Sequence, residues 1–85
     1  MNGSTLASAA DGGIPIVQFF RLLGPNNEIA LCRSYRVGAG IELRFGVDGE
    51  AAVMAEGVAS HNRALTLAGE WRLLLTATGS FIEDS

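Results

Sequence analysis

The sequence predicts an α+β fold: a four-stranded antiparallel meander with one C-terminal helix packed on one face of the sheet. Three observations predict it. Turn signals fall at Gly24-Pro25-Asn26-Asn27, Gly38-Ala39-Gly40 and Asp48-Gly49, each cluster reversing the chain between apolar runs. Between those turns, apolar side chains recur with the period of two that a half-buried strand requires. After Val58 the spacing lengthens to three and four residues, the signature of one helix face.

The first 13 residues are mostly Gly, Ser, Ala, Thr and Asn, with Leu6 the single large aliphatic residue after Met1. They read as a flexible arm. Residues 14–82 form the domain, and residues 83–85 form a short acidic tail. A chain of 85 residues with 48% hydrophobic side chains holds one core.

The first strand is expected over Ile14–Leu23. Pro15 near its start, with Gly24 and Pro25 beyond its end, also fits a short helix. The Ile, Val and Phe content favours a strand. The second strand is expected over Glu28–Val37, the third over Ile41–Val47 and the fourth over Ala51–Val58. Asp48-Gly49 is the strongest turn, because that dipeptide suits a two-residue primed hairpin.

Pairing Leu23 with Glu28, Val37 with Ile41 and Val47 with Glu50 places Phe20 opposite Leu31, Tyr35 opposite Leu43 and Leu43 opposite Met54. One face then carries Ile14, Ile16, Phe20, Leu22, Ile29, Leu31, Tyr35, Val37, Ile41, Leu43, Phe45, Val47, Ala52, Met54 and Val58. Gln18, Arg33, Glu50 and Glu56 are its polar intrusions.

Ser60 suits a helix N-cap and Gly79 a left-handed terminator. Between them Ala64, Leu67, Ala68, Trp71, Leu74, Leu75 and Thr78 form the apolar stripe that should lie on that face. Trp71 falls near its middle. Phe81 and Ile82 are expected to fold back and seal the edge.

Composition narrows the function. Six arginines, no lysine and nine acidic residues give a net charge of −3, which disfavours polyanion binding. One cysteine forms no internal disulfide. No run approaches the roughly 20 apolar residues of a membrane span, and no basic-then-apolar leader opens the chain. A cytoplasmic protein with no membrane contact is the resulting expectation.

Candidate chemistry is sparse. His61, the single histidine, sits in the first helical turn, where the dipole opposes protonation; a solvent-facing or capping role is expected. Cys32 is expected mid-strand beside Phe19, as a packing thiol. An enzymatic or thiol-reactive alternative would rest on Cys32 or His61. One Cys and one His form no four-ligand zinc site within the chain. Gly38-Ala39-Gly40 lacks the third glycine and the following helix of a phosphate loop. Asp48-Gly49-Glu50 lacks the spacing of a calcium loop. No catalytic residue, cofactor or metal site is expected.

The second sheet face carries the functional expectation. The assumed pairing places Val17, Phe19, Arg21, Leu23, Ala30, Cys32, Ser34, Arg36, Glu42, Arg44, Val53 and Ala55 there. Val17, Phe19, Arg21, Leu23, Cys32, Arg44 and Val53 are the candidate interface residues, an apolar patch ringed by arginines. The expected protein is a non-enzymatic interaction module, a homodimer joined through this face or the first edge strand, or a binder of another protein. Alternatively, the N-terminal arm covers the face through Leu6 and its alanines. A further alternative is a nucleic-acid module using Arg21, Arg36 and Arg44, with Phe19 for stacking.

Ile41-Glu42-Leu43-Arg44-Phe45, Asp48-Gly49-Glu50, Leu67-Ala68-Gly69-Glu70-Trp71-Arg72 and Gly79-Ser80-Phe81 together resemble short uncharacterised bacterial proteins. Those have an E-L-R strand, a turn, and a C-terminal A-x-E-W-R helix. The serine-rich end of their next strand is Met54-Ala55-Glu56-Gly57 here. The resemblance covers about half the chain, implies the strand–strand–helix order and carries no activity.

Overall fold

The structure, a computed structural model, describes residues 13–84. The expected arm over residues 1–13 and the end of the acidic tail therefore lie almost wholly outside the described residues. The elements are β1 (Ile14–Leu23), β2 (Ile29–Val37), β3 (Gly40–Val47), β4 (Met54–Val58), α1 (His61–Ala77) and β5 (Ile82–Glu83). They form one antiparallel sheet in the order β4-β3-β2-β1-β5, with α1 on one face. The four-strand meander and the helix are as expected. The fifth strand is an addition: Glu83 and Ile82 pair with Leu22 and Leu23, so Glu83 belongs to the sheet and not to a tail.

The first stretch is a strand. Its expected pairing is off by one residue, because the turn uses all of Gly24–Glu28. The Gly24 amide donates to the Glu28 carbonyl (2.9 Å) and the Asn27 amide to the Gly24 carbonyl (3.0 Å). Asn27 adopts φ 63, a conformation asparagine tolerates. Leu23 therefore faces Ile29. At the second turn the pairing closes one residue earlier than expected, Val37 against Gly40. Gly38, at φ 61, takes the first central position, where a primed two-residue turn favours glycine.

Both shifts rotate β2 by one residue, so its side chains exchange faces. Ala30, Cys32 and Ser34 lie beneath the helix. Ile29, Leu31, Arg33, Tyr35 and Val37 lie on the other side. The two shifts cancel at β3, whose Leu43 and Phe45 face the helix as expected. β1 carries irregularities between Pro15 and Val17 and between Gln18 and Phe20. These bulge-like shifts leave Ile16 and Phe19 without cross-strand partners.

Asp48-Gly49 turns as expected, with the Glu50 amide donating to the Val47 carbonyl (2.9 Å). Residues 51–53 then leave the ladder, so β4 starts three residues later than expected and its register shifts by two, with Met54 against Phe45 rather than Leu43. Gly46 permits this. A Cβ there would lie 2.9 Å from Ala52 Cα and 3.1 Å from the Ala51 carbonyl oxygen, so the loop closes over a position that only glycine fills.

Ser60 caps α1, its Oγ accepting from the Arg63 amide (3.1 Å), and Gly79 follows the helix at φ 82. The helix buries Ala64, Leu67, Ala68 and Trp71 against Phe20, Leu22, Ala30, Cys32, Leu43 and Phe45. The small Ala64 and Ala68 side chains share this buried cluster with Ala30 and Cys32 of β2. Burial of the Trp71 ring contributes roughly 1.5–3 kcal/mol or more. The expected stripe ends early: Leu75 packs on the core, whereas Leu74 is exposed. Phe81 returns edge-on to Phe45 (ring centroids 5.4 Å apart) and Phe20 stacks beside it (5.8 Å).

Candidate interaction surface

The helix occupies one face of the sheet, leaving the outer face as the candidate surface. Paired residues share a face, so four cross-strand rows define it. Ile82, Leu23 and Ile29 form an apolar row across β5, β1 and β2. Next come Arg21, Leu31 and Gly46, then Gln18, Arg33, Arg44 and Ala55, then Pro15, Tyr35, Glu42 and Gly57. Leu31 is buried beside Gly46, where the 51–53 loop closes over the sheet.

Three of the seven expected interface residues, Arg21, Leu23 and Arg44, lie on this face. Cys32 does not. It is fully buried under the helix, where burial pushes its thiol up to about 12; a thiolate nucleophile requires a depressed value. Val17 pairs with buried Ser34 and so faces the helix side. Phe19, unpaired at the irregularity, packs on the core with its ring 5.7 Å from His61. Val53 is exposed but lies in the loop before β4. The rotation of β2 moved Cys32, and the irregular β1 moved Val17 and Phe19.

The residues missed on this face are Ile29, Leu31, Arg33 and Tyr35, together with exposed Ile82. Arg44 is the unusual member. It is 5% exposed, its Nε donates to Glu42 Oε1 at 2.5 Å, and its guanidinium carbon lies 4.3 Å from the Tyr35 ring centroid. Its Nη1 and Nη2 are buried without hydrogen-bond partners among the described residues. The stack and the ion pair hold the guanidinium on its own strand's neighbours, and its two terminal nitrogens have no hydrogen-bond partner among the described residues.

The arginines do not assemble into one phosphate-binding track. Arg21 pairs with Asp84, Arg33 Nε reaches Gln18 Oε1 at 3.4 Å, and Arg36, paired with Ile41, lies on the helix side. Arg72 clasps Glu83 with two contacts of 2.7 Å, and its guanidinium holds the Glu83 carboxyl below the usual carboxylate range. This clasp ties β5 to α1.

The sheet edges are guarded differently. β5 covers the end of β1, and the shifts and Pro15 irregularly shape the remainder. On the β4 edge, Glu56 sits opposite Leu43 on the helix side and is exposed, a charge on an edge strand of the kind that blunts strand addition. Among the described residues, no group of three or more His, Cys, Asp or Glu side chains could hold a metal, and no helix is long and apolar enough to cross a membrane. No family model, curated protein or solved structure matches this chain.

Proposed function

We propose that this domain is a small non-enzymatic interaction module that associates with a second copy of itself through the outer sheet face. The observation that carries this reading is the uneven covering of the sheet. α1 packs on one face, while the other presents the Ile82–Leu23–Ile29 row and Tyr35. A face designed for water alternates in more polar residues. Aromatic, aliphatic and arginine side chains together match the composition of interface centres. The guarded edges turn association toward the face.

Light scattering after gel filtration at two protein concentrations tests the proposal. A dimer that persists on dilution is expected. Ile82→Asp should shift it toward monomer without lowering the melting temperature, since Ile82 is 57% exposed. A wild-type chain that is monomeric at both concentrations would overturn the reading.

A further inference from the structure

We propose that β5 is a charge-locked strap: the Glu83 carboxylate holds it on the β1 edge, and loss of that charge in acid shifts it off the edge while the rest of the sheet stays closed. The switch belongs to a single chain and stands whether or not a second copy binds.

The strap has little backbone to hold it. Ile82 pairs with Leu23 and Glu83 with Leu22, and the Asp84 amide adds a contact to the Arg21 carbonyl (3.4 Å). β1 and β2, by comparison, pair from Ile14 to Leu23. Segments with few backbone bonds and exposed side chains open at the lowest cost in a fold.

Side chains supply the remaining grip, and they supply it from both faces of the sheet. Neighbouring strand residues point to opposite sides. Glu83, beside fully buried Leu22, turns to the helix side, where Arg72 of α1 donates Nε and Nη2 to its two oxygens. Asp84 turns to the outer side and pairs with Arg21. Ile82 also stands outward and is largely exposed, so its burial adds little. A bidentate arginine–carboxylate pair fixes direction as well as charge, which makes the Arg72 clasp the contact that aligns β5 with β1. Exposed ion pairs contribute modestly, and beside so short a ladder a modest contribution decides whether the strap is docked.

The hydrogen bonds from Arg72 hold the Glu83 carboxyl below its ordinary value of 4.5, so the docked strap takes up a proton less readily than a free one. Docking is supported above that value and loses the support as pH falls through the lowered one. The charged groups around Glu83 are Arg72 from α1, Arg21 from β1 and the neighbouring Asp84, which faces the other side. Glu28, in the turn after β1, is engaged with the Asn26 amide, and His61 lies at the opposite end of α1 against Phe19. A pivot is built in: Gly79 follows α1 at φ 82, and Phe81 packs edge-on against Phe45. Motion beyond Phe81 therefore leaves the core closed. It uncovers the main chain of Leu22 and Leu23 at the β1 edge and withdraws Ile82 from the apolar row of the outer face.

Amide hydrogen exchange followed by NMR tests the strap residue by residue. From pH 7 to about pH 3, protection of the Glu83 and Asp84 amides, corrected for intrinsic exchange rates, should fall about threefold to fivefold. Amides of the β2–β3 ladder should keep theirs. Arg72→Gln and Glu83→Gln should each reproduce the local loss at pH 7, and Glu83→Gln should remove most of its pH dependence. Amides of β5 that are unprotected at pH 7 in the wild-type chain would overturn the strap. So would unchanged protection in both variants, or a loss in the variants shared equally by the β2–β3 ladder.

Discussion

The two faces of this sheet handle polar groups in opposite ways. Under the helix, burial is achieved with neutral side chains: Phe20, Leu22, Cys32, Leu43 and Phe45 meet Ala64, Leu67, Ala68 and Trp71. The buried polar residue there is Ser34, whose Oγ has no hydrogen-bond partner among the described residues. On the outer face the buried polar group is a cation. An unanswered hydroxyl costs about 1–3 kcal/mol, and an unanswered charged group more. Among the described residues the helix face therefore leaves one neutral hydroxyl without a partner, whereas the outer face leaves two nitrogens of a cation. Stability resides in the first, and recognition is proposed for the second.

Removing Trp71 should break that division most severely. Trp71→Ala should cost about 3–5 kcal/mol, enough to unfold a domain of this size, as measured by denaturant titration followed by circular dichroism. A small change would mean that the helix face does not hold the fold.

Alkaline titration addresses the same face through Cys32. Its thiol, raised to about 12 by burial, stays protonated in the folded chain after the unfolded chain has begun to ionise near its ordinary value of 9.0. The folded state then binds the extra proton, so stability falls as pH rises from about 9 toward 12, by roughly 1.4 kcal/mol per pH unit. Cys32→Ala should flatten that part of the pH profile. An identical slope in both proteins would place the titration elsewhere.

The outer face should respond in the reverse sense. Arg44→Met removes a desolvated charge and keeps most of the volume, so the monomer should be unchanged or stabilised by roughly 1 kcal/mol. Melting at low protein concentration measures this without dimer contributions. A loss of several kcal/mol would show that the Glu42 pair and the Tyr35 stack hold the monomer together.

How far the sequence foretold this contrast depends on the strand. β3 and α1 were legible, because apolar residues crowd one side of each: Leu43 and Phe45 against Glu42 and Arg44 in β3, and Ala64, Leu67, Ala68 and Trp71 in α1. β2 was not. Ile29, Ala30, Leu31 and Cys32 are apolar in succession, so a period of two carries no preference there. Its facing is set by two turns whose lengths differ from expectation by one residue each. A signal was available in side-chain size. The small Ala30, Cys32 and Ser34 are the side chains buried on the helix side, whereas the bulkier Ile29, Leu31 and Tyr35 face away from it.

The site was legible to the extent that its strands were. Arg21, Leu23 and Arg44 were placed correctly because β1 near its end and β3 kept their facing. Cys32 was lost with β2. Phe19 and Val17 were lost to irregularities in β1 that no turn residue announces. The burial of Arg44 had no sequence signal, since arginine on an outer strand face ordinarily reaches water.

The covering of the sheet on one side also gives the molecule two separate optical reporters. Its single tryptophan, Trp71, sits in the helix layer, and its single tyrosine, Tyr35, stacks on Arg44 across the sheet. Light absorbed by the indole follows the packing of the helix, while the phenol ring follows the guanidinium stacked on it. A single sample can therefore distinguish a change in the helix layer from a change on the outer face, because the two perturb different chromophores on opposite sides of a single layer of strands.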